Sequence, residues 1–351
     1  MNEIVTLPSE NSEKTSLSEF RESHSTSKTN AASVYLNKLG SDVSHAMTLS
    51  RLNAISQFFG YKDAFHCDWQ LMRYEHVSKF LDHLRHLNGK NSYNQVEETR
   101  LKNSTINGYL MAIKGVMRTA WSLGQVADGD LLRIRTIKAL REDDMTEGRA
   151  MTFRESRAIL NSCPGDTPRQ IRDRAMLMLL LGNGLRRAEL TTIELKHVSV
   201  ESGEIEIHGK GNKVRVVMMI PEVAESVEDW INVRATLPRV NDSYGASGNS
   251  EYLFCRFTPR DKKIVPGKRL VPHSIAVIVA EHLETAEEKM PSLADIRCHD
   301  FRRTFATRLF DKNVDILVIR DLMGHADIAT TARYDKRGKA AMRRAMEKVE
   351  L

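Results

Sequence analysis

Between about residue 31 and residue 141 the apolar positions recur every three or four residues, the spacing that lays them along one face of a helix. Leu52, Ile55, Phe58 and Phe59 mark a helix over 48–59, with Gly60 placed to end it. Val77, Phe80, Leu81, Leu84 and Leu87 mark another over 76–87. The longest stripe, Ile106, Tyr109, Leu110, Ile113, Val116, Met117 and Trp121, predicts a helix over 104–123 stopped by Gly124. A shorter helix follows over 131–140. No stretch here alternates with period two, so the expectation is a bundle of four or five helices without strands.

The flanks read differently. Residues 1–30 hold eleven Ser/Thr and few large apolar side chains, the composition of a flexible tail. Residues 142–151, polar and glycine-containing, are the expected linker. Beyond them Thr152 and Glu155 form a capping-box pattern, and helices are predicted over 153–162 and 168–182. The period then switches to two: Glu204 to His208 and Val214 to Met218 alternate around Gly209-Lys210-Gly211, a hairpin signal. A soft loop over 241–249 and a short strand over 252–255 interrupt a remainder that is mostly helical. The chain therefore reads as mainly α with a small β-hairpin or sheet, its second domain spanning 152–351.

Composition narrows the classes. Of 351 residues 41% are hydrophobic and 28% charged, as in globular proteins, and the net charge of +6 favours a polyanionic partner. The longest purely apolar run, 175–181, has seven residues, too few to cross a bilayer. The N-terminus has no basic segment leading into an apolar core, so a cytoplasmic location is expected. Cys67, Cys163, Cys255 and Cys298 include no Cys-x-x-Cys pair and read as reduced thiols. His83 and His86 share a helical face with His76 nearby, yet nothing converges on them in sequence. They read as solvated or DNA-facing rather than as metal ligands. Arg133, Arg135, Lys138, Arg141 and Arg149 form a basic run that suits either a solvated face or phosphate contact.

Candidate chemistry sits in three short blocks. Gly184-Leu185-Arg186 puts a guanidinium at a helix-to-turn junction, though alone it reads as a surface arginine beside Arg187. In His299-Asp300-Phe301-Arg302 the imidazole and guanidinium stand at i and i+3, on one face, while Arg303 reads as solvent-facing. Gly324-His325 precedes Tyr334 by nine residues from the histidine. A tyrosine phenol has an ordinary pKa of about 10 and needs a base or neighbouring cations to become a nucleophile. Lys210, at the hairpin tip, is a weak signal by itself.

In this order Arg186, Lys210, His299, Arg302, His325 and Tyr334 resemble the tyrosine recombinase (phage integrase) family, over about residues 150–340. The strongest matches are Gly184 to Leu190, His299 to Thr307 and Leu322 to His325. The Gly-Lys-Gly-Asn-Lys turn, 24 residues after Arg186, looks like the family's lysine hairpin. The resemblance implies a core-binding domain over 31–141 and a mixed α/β catalytic domain over 152–351. It implies that Tyr334 attacks DNA to give a 3′-phosphotyrosine and that Arg186 and Arg302 hold the phosphate. Lys210 would act as general acid, His299 would assist proton transfer and His325 would bond a phosphate oxygen. Glu189 would buttress Arg186. The implied partners are duplex DNA carrying an inverted-repeat site and further copies of the chain in a tetramer, the segment 338–351 docking in trans. No cofactor and no metal are implied. Asn183 and Arg187 depart from the family's usual residues. The short N-terminal segment points to the two-domain layout of the Xer and Cre groups, in a bacterial, DNA-associated protein. Two alternatives share the sequence signals: a type IB topoisomerase-like nicking-closing enzyme, and a catalytically silent DNA-binding accessory protein.

Overall fold

The computed structural model describes residues 29–86, 88–90, 96–141, 148–209, 214–240, 251–258, 263–335, 337–338 and 346. All but the last two residues of the expected tail, most of the expected linker, Lys210, the 241–249 loop and nearly all of 338–351 lie outside the described residues. The chain forms two compact units, Met1–Thr146 and Glu147–Leu351.

The first unit contains helices α1 (Ala31–Asn37), α2 (Asp42–Phe58), α3 (Tyr74–His86), α4 (Asn103–Ser122) and α5 (Asp128–Thr136). Polar caps set two starts: Asn30 accepts from the amides of Ala32 and Ser33, and Ser41 from that of Ser44. The cap at Ser41 begins α2 at Asp42, six residues before the predicted start at 48. Helix α5 stops at Thr136, short of the predicted 140. Asn107 explains this, since its amide donates to the Leu140 carbonyl and accepts from the Leu140 amide, both at 2.8 Å. Leu52, Ile55, Val77, Phe80, Ile113, Val116 and Met117 meet in the core, as their spacing predicts.

One expectation fails here. Strands β1 (Asn88–Lys90) and β2 (Val96–Arg100) pair antiparallel between α3 and α4, where no strand was expected. Asn-Gly-Lys and Val-Glu-Glu-Thr-Arg contain no apolar alternation, because backbone pairing alone leaves no mark in side-chain hydropathy. The nearby histidines pack on aromatic rings: His83 lies 4.7 Å from Phe58 and His76 5.9 Å from Phe59, centroid to centroid. His76 Nδ1 also accepts the Arg73 amide, which makes it a helix-entry cap.

The second unit runs α6 (Phe153–Leu160), α7 (Pro168–Gly182), α8 (Arg187–Leu190), β3 (Val198–Ser199), β4 (Glu204–His208), β5 (Val214–Met218), α9 (Pro221–Thr236), β6 (Cys255–Phe257), β7 (Ile264–Arg269), α10 (Pro272–Glu287), α11 (Cys298–Asp311), α12 (Ile316–Met323) and α13 (Ile328–Ala332). Strands β3, β4 and β5 form one antiparallel sheet, and β6 with β7 a second. The expected strand at 252–255 is displaced to β6, because Tyr252 bridges to Glu194 instead.

Helix α7 is the spine of this unit. Thr167 caps it, Pro168 opens it, and Ala175, Met176, Leu177, Leu179, Leu180 and Leu181 are all buried. It packs against α9 and α11. A smaller cluster of Ala306, Phe310, Ile319 and Met323 takes in Tyr334. No described helix is long and apolar enough to cross a membrane.

Candidate active site

Where α7 ends, the chain turns sharply through Gly184, whose φ of +59° suits glycine and whose missing Cβ would meet the Phe305 ring at 2.4 Å. The turn delivers Arg186 to the head of α8. Glu189, three residues on and buried, accepts from the Arg186 amide at 2.8 Å and from Arg186 Nη1 at 2.7 Å. Arg186 Nη2 donates to the Gly324 carbonyl at 3.0 Å, while 41% of the side chain stays open to solvent. An exposed guanidinium held by a buried carboxylate is oriented and still available to an anion.

Arg302 rises from the second turn of α11 and is buried. It donates to the carbonyls of Gly184 and Met323, and through Nη2 to His325 Nε2 at 2.8 Å. A guanidinium only donates, so Nε2 accepts and the ring proton sits on Nδ1, facing Thr331 Oγ1 at 2.8 Å. Burial, then the charges of Arg302, Arg186 and Arg215, push the His325 pKa down to about 4. Burial and the nearby Arg186 likewise lower Arg302 to about 10, which leaves it charged at neutral pH.

Tyr334 follows α13, only 8% exposed, with its hydroxyl 3.2 Å from His299 Nε2. Its ring stacks on His325 at 6.0 Å with the planes 13° apart. His299 reaches solvent, yet the protein atoms crowded around it and then the charges of Arg302 and Arg303 lower its pKa. Arg303 is not solvent-facing as expected. It is 13% exposed, pairs with buried Asp300 at 3.4 Å and lies over the Tyr334 ring at 5.8 Å. Asp300 in the first helical turn and the aromatic face draw it in.

Arg186, His299, Arg302, His325 and Tyr334, spread over 149 positions of the chain (334 − 186 + 1), thus meet in one place. Lys210 lies outside the described residues, in the segment between β4 and β5. The one group of described residues with metal-ligand spacing, His197, Glu206 and His208, is a separate cluster at β4.

The phage integrase family model matches residues 149–340, more than half of the sequence. The chain belongs to the phage integrase family. Among relatives, a tyrosine recombinase XerC of Roseiflexus castenholzii is 28% identical over 268 residues, covering 76% of this chain and 74% of that protein. XerC of Actinobacillus succinogenes is 31% identical over 170 residues, 48% of this chain and 50% of that protein. The chain spans about half the length of the first curated relatives it matches. Similar folds include the Tn1549 transposon integrase in complex with transposon right end DNA, with a TM-score of 0.66, 18% identity and coverage of 92% of this chain and 99% of that one. XerH bound to difH substrate gives 0.60 at 20% identity, covering 88% and 80%.

The family match encloses every residue of the cluster and leaves the first unit outside it. Two members of the constellation escaped the sequence reading. Arg215 donates from Nη1 and Nη2 to both oxygens of Glu189, at 2.9 and 3.0 Å, and from Nε to the Leu322 carbonyl at 3.3 Å. A signal was present: period two puts Arg215 on the same face of β5 as buried Val217, where an arginine needs a carboxylate. Thr331 is fully buried against His325 and resembled any helical threonine.

Proposed function

We propose that this protein is a site-specific DNA recombinase that cuts and rejoins strands through a 3′-phosphotyrosine, with Arg186, Lys210, His299, Arg302, His325 and Tyr334 as its catalytic residues. The observation that carries the reading is the Tyr334 hydroxyl 3.2 Å from a neutral-leaning imidazole, beside two fixed guanidiniums. In the forward step the phenol oxygen bonds to phosphorus as its proton passes to His299. The P–O5′ bond breaks, and Lys210 protonates the departing 5′-oxygen. Arg186 and Arg302 neutralise charge that grows on the non-bridging oxygens, where preorganised donors act most strongly. His325 adds a donor to one of those oxygens. The bond energy stays in the phosphotyrosine, so rejoining reverses the same steps.

The XerC relatives, and the DNA bound in the structures of the Tn1549 integrase and XerH, support duplex DNA as substrate. We further propose an inverted-repeat target and a tetramer on DNA, with the 338–351 segment docking onto a neighbouring copy. A catalytically silent accessory protein is disfavoured by the filled set of residues. The test is a nicked suicide substrate. The parent should form a covalent adduct, and Tyr334→Phe should bind the same DNA and form none. Adduct formation by the variant would disprove the nucleophile. Relaxation of plasmid without a defined site would point to nicking-closing instead.

A further inference from the structure

Resting on that reading, we propose that Arg303 is a positioning residue: anchored on Asp300 and laid over the Tyr334 ring, it sets the nucleophile and its proton acceptor as one electrostatic unit. Helix α11 makes the placement local. His299 and Arg303 stand at i and i+4, positions that share a face, and Asp300 stands three residues before Arg303. Asp300 is buried and its two oxygens are divided. Oδ2 accepts the Arg297 amide at 2.9 Å, which caps the helix, while Oδ1 lies 3.4 Å from Arg303 Nε. The guanidinium carbon is then 5.8 Å from the centre of the Tyr334 ring, whose hydroxyl meets His299 Nε2 at 3.2 Å. A fixed cation thus stands beside both partners of that hydrogen bond.

Facing His299 are Asp300, Arg302 and Arg303 from its own helix, Arg187 from α8 and the Tyr334 hydroxyl. Facing Tyr334 are His299, His325, Arg302 and Arg303. Arg302 is committed to the Gly184 and Met323 carbonyls and to His325, and Arg187 is exposed, where solvent screens it. Arg303 differs from both, since its side chain is 13% exposed and rests on a carboxylate and an aromatic ring. A cation on the same helical face disfavours an imidazolium, and one at the ring stabilises the negative charge that gathers on the phenol oxygen as its proton leaves. Burial, then Arg302 and Arg303, already hold the His299 pKa below its ordinary value. One arginine thereby keeps the acceptor free of a proton at neutral pH and favours charge on the nucleophile.

The experiment follows single-turnover cleavage of a nicked suicide substrate by the full chain as a function of pH. In the parent the rate falls on the acid side as His299 takes up a proton. Arg303→Gln should bind DNA as the parent does and move that acid limb upward by between about half a pH unit and about two. Coulomb's law gives that span for one charge about 6 Å away, between the dielectric of water and an effective value of about 20. Each unit of the shift is about a tenfold loss of rate at a fixed pH on the limb. Arg303→Lys, which keeps a charge in this place, should hold the limb near the parental midpoint even where the maximal rate falls. Arg303→Met, an apolar stem without charge, replaces the glutamine variant if that one does not fold, and should move the limb alike. A parental midpoint in the neutral variants, or a limb moved as far by lysine as by glutamine, would overturn the proposal, because the arginine would then only pack. A parent that forms no adduct at any pH would instead overturn the recombinase reading.

Discussion

Thr331 is fully buried, with Oγ1 2.8 Å from His325 Nδ1. In the DNA-free site Nε2 accepts from Arg302, so it carries no proton to offer a phosphate. A hydroxyl both donates and accepts, so Thr331 can hold either tautomer: it accepts from Nδ1–H here, and it can donate to a bare Nδ1 once Nδ1 has lost its proton to solvent and Nε2 has gained one from solvent. Arg302 Nη2 is freed in the same exchange. Thr331→Val should therefore slow cleavage with little change in DNA affinity, whereas Thr331→Ser should retain most of the rate. Equal behaviour of the two in a suicide-substrate assay would refute this role. The pH response has a sign. His325 has a folded pKa of about 4, below its ordinary value, so the unfolded chain binds more protons between the two. His299 shifts the same way. The His325 contribution is full above about pH 6.5 and shrinks as pH falls toward 4, and that of His299 is lost in the same acid direction. His282 opposes them: burial would lower its pKa, but its bonds to Asp173 and Cys163 raise it to about 9. Its contribution is full below about pH 6.5 and lost as pH rises through 9. Urea midpoints should fall on both sides of neutrality, and His282→Asn should flatten the alkaline side alone.

At the scale of elements, legibility followed how each segment declares itself. Helix α7 was readable to the residue because Thr167, Pro168 and an unbroken apolar run mark it. The β4–β5 hairpin was readable because its inward face is apolar at Ile205, Ile207 and Val217. Strands β1 and β2 were not, since their residues carry no hydrophobic period. Short motifs exposed Arg186, His299, Arg302, His325 and Tyr334 as candidates, while Arg215 and Arg303 needed the fold, because a charged residue's partner lies far along the chain. Turns matter as much as the regular elements. Gly324 ends α12 in the left-handed region against the Arg215 guanidinium. Gly324→Ala should cost about 1–3 kcal/mol of stability from backbone strain and displace Arg215. Urea unfolding would measure the first and adduct yield the second; parental values in both would contradict the packing described.

Among the described residues each unit has its own main hydrophobic core, the second adding the smaller cluster around Phe310, and the net charge is +6. Binding to duplex DNA should weaken steeply with salt. With six to ten phosphates neutralised, affinity would fall about 10³–10⁵-fold between 50 and 200 mM salt. An affinity indifferent to salt would argue against a phosphate-tracking surface. The Tyr334 phenol rests on His299 of its own polypeptide, beside that same polypeptide's Arg302. On the proposed reading each copy would be a self-contained pair of scissors, with blade and handle forged from one bar. Mixing Tyr334→Phe copies with Arg302→Gln copies should then yield no severed strand, because neither damaged tool can lend its sound half to the other.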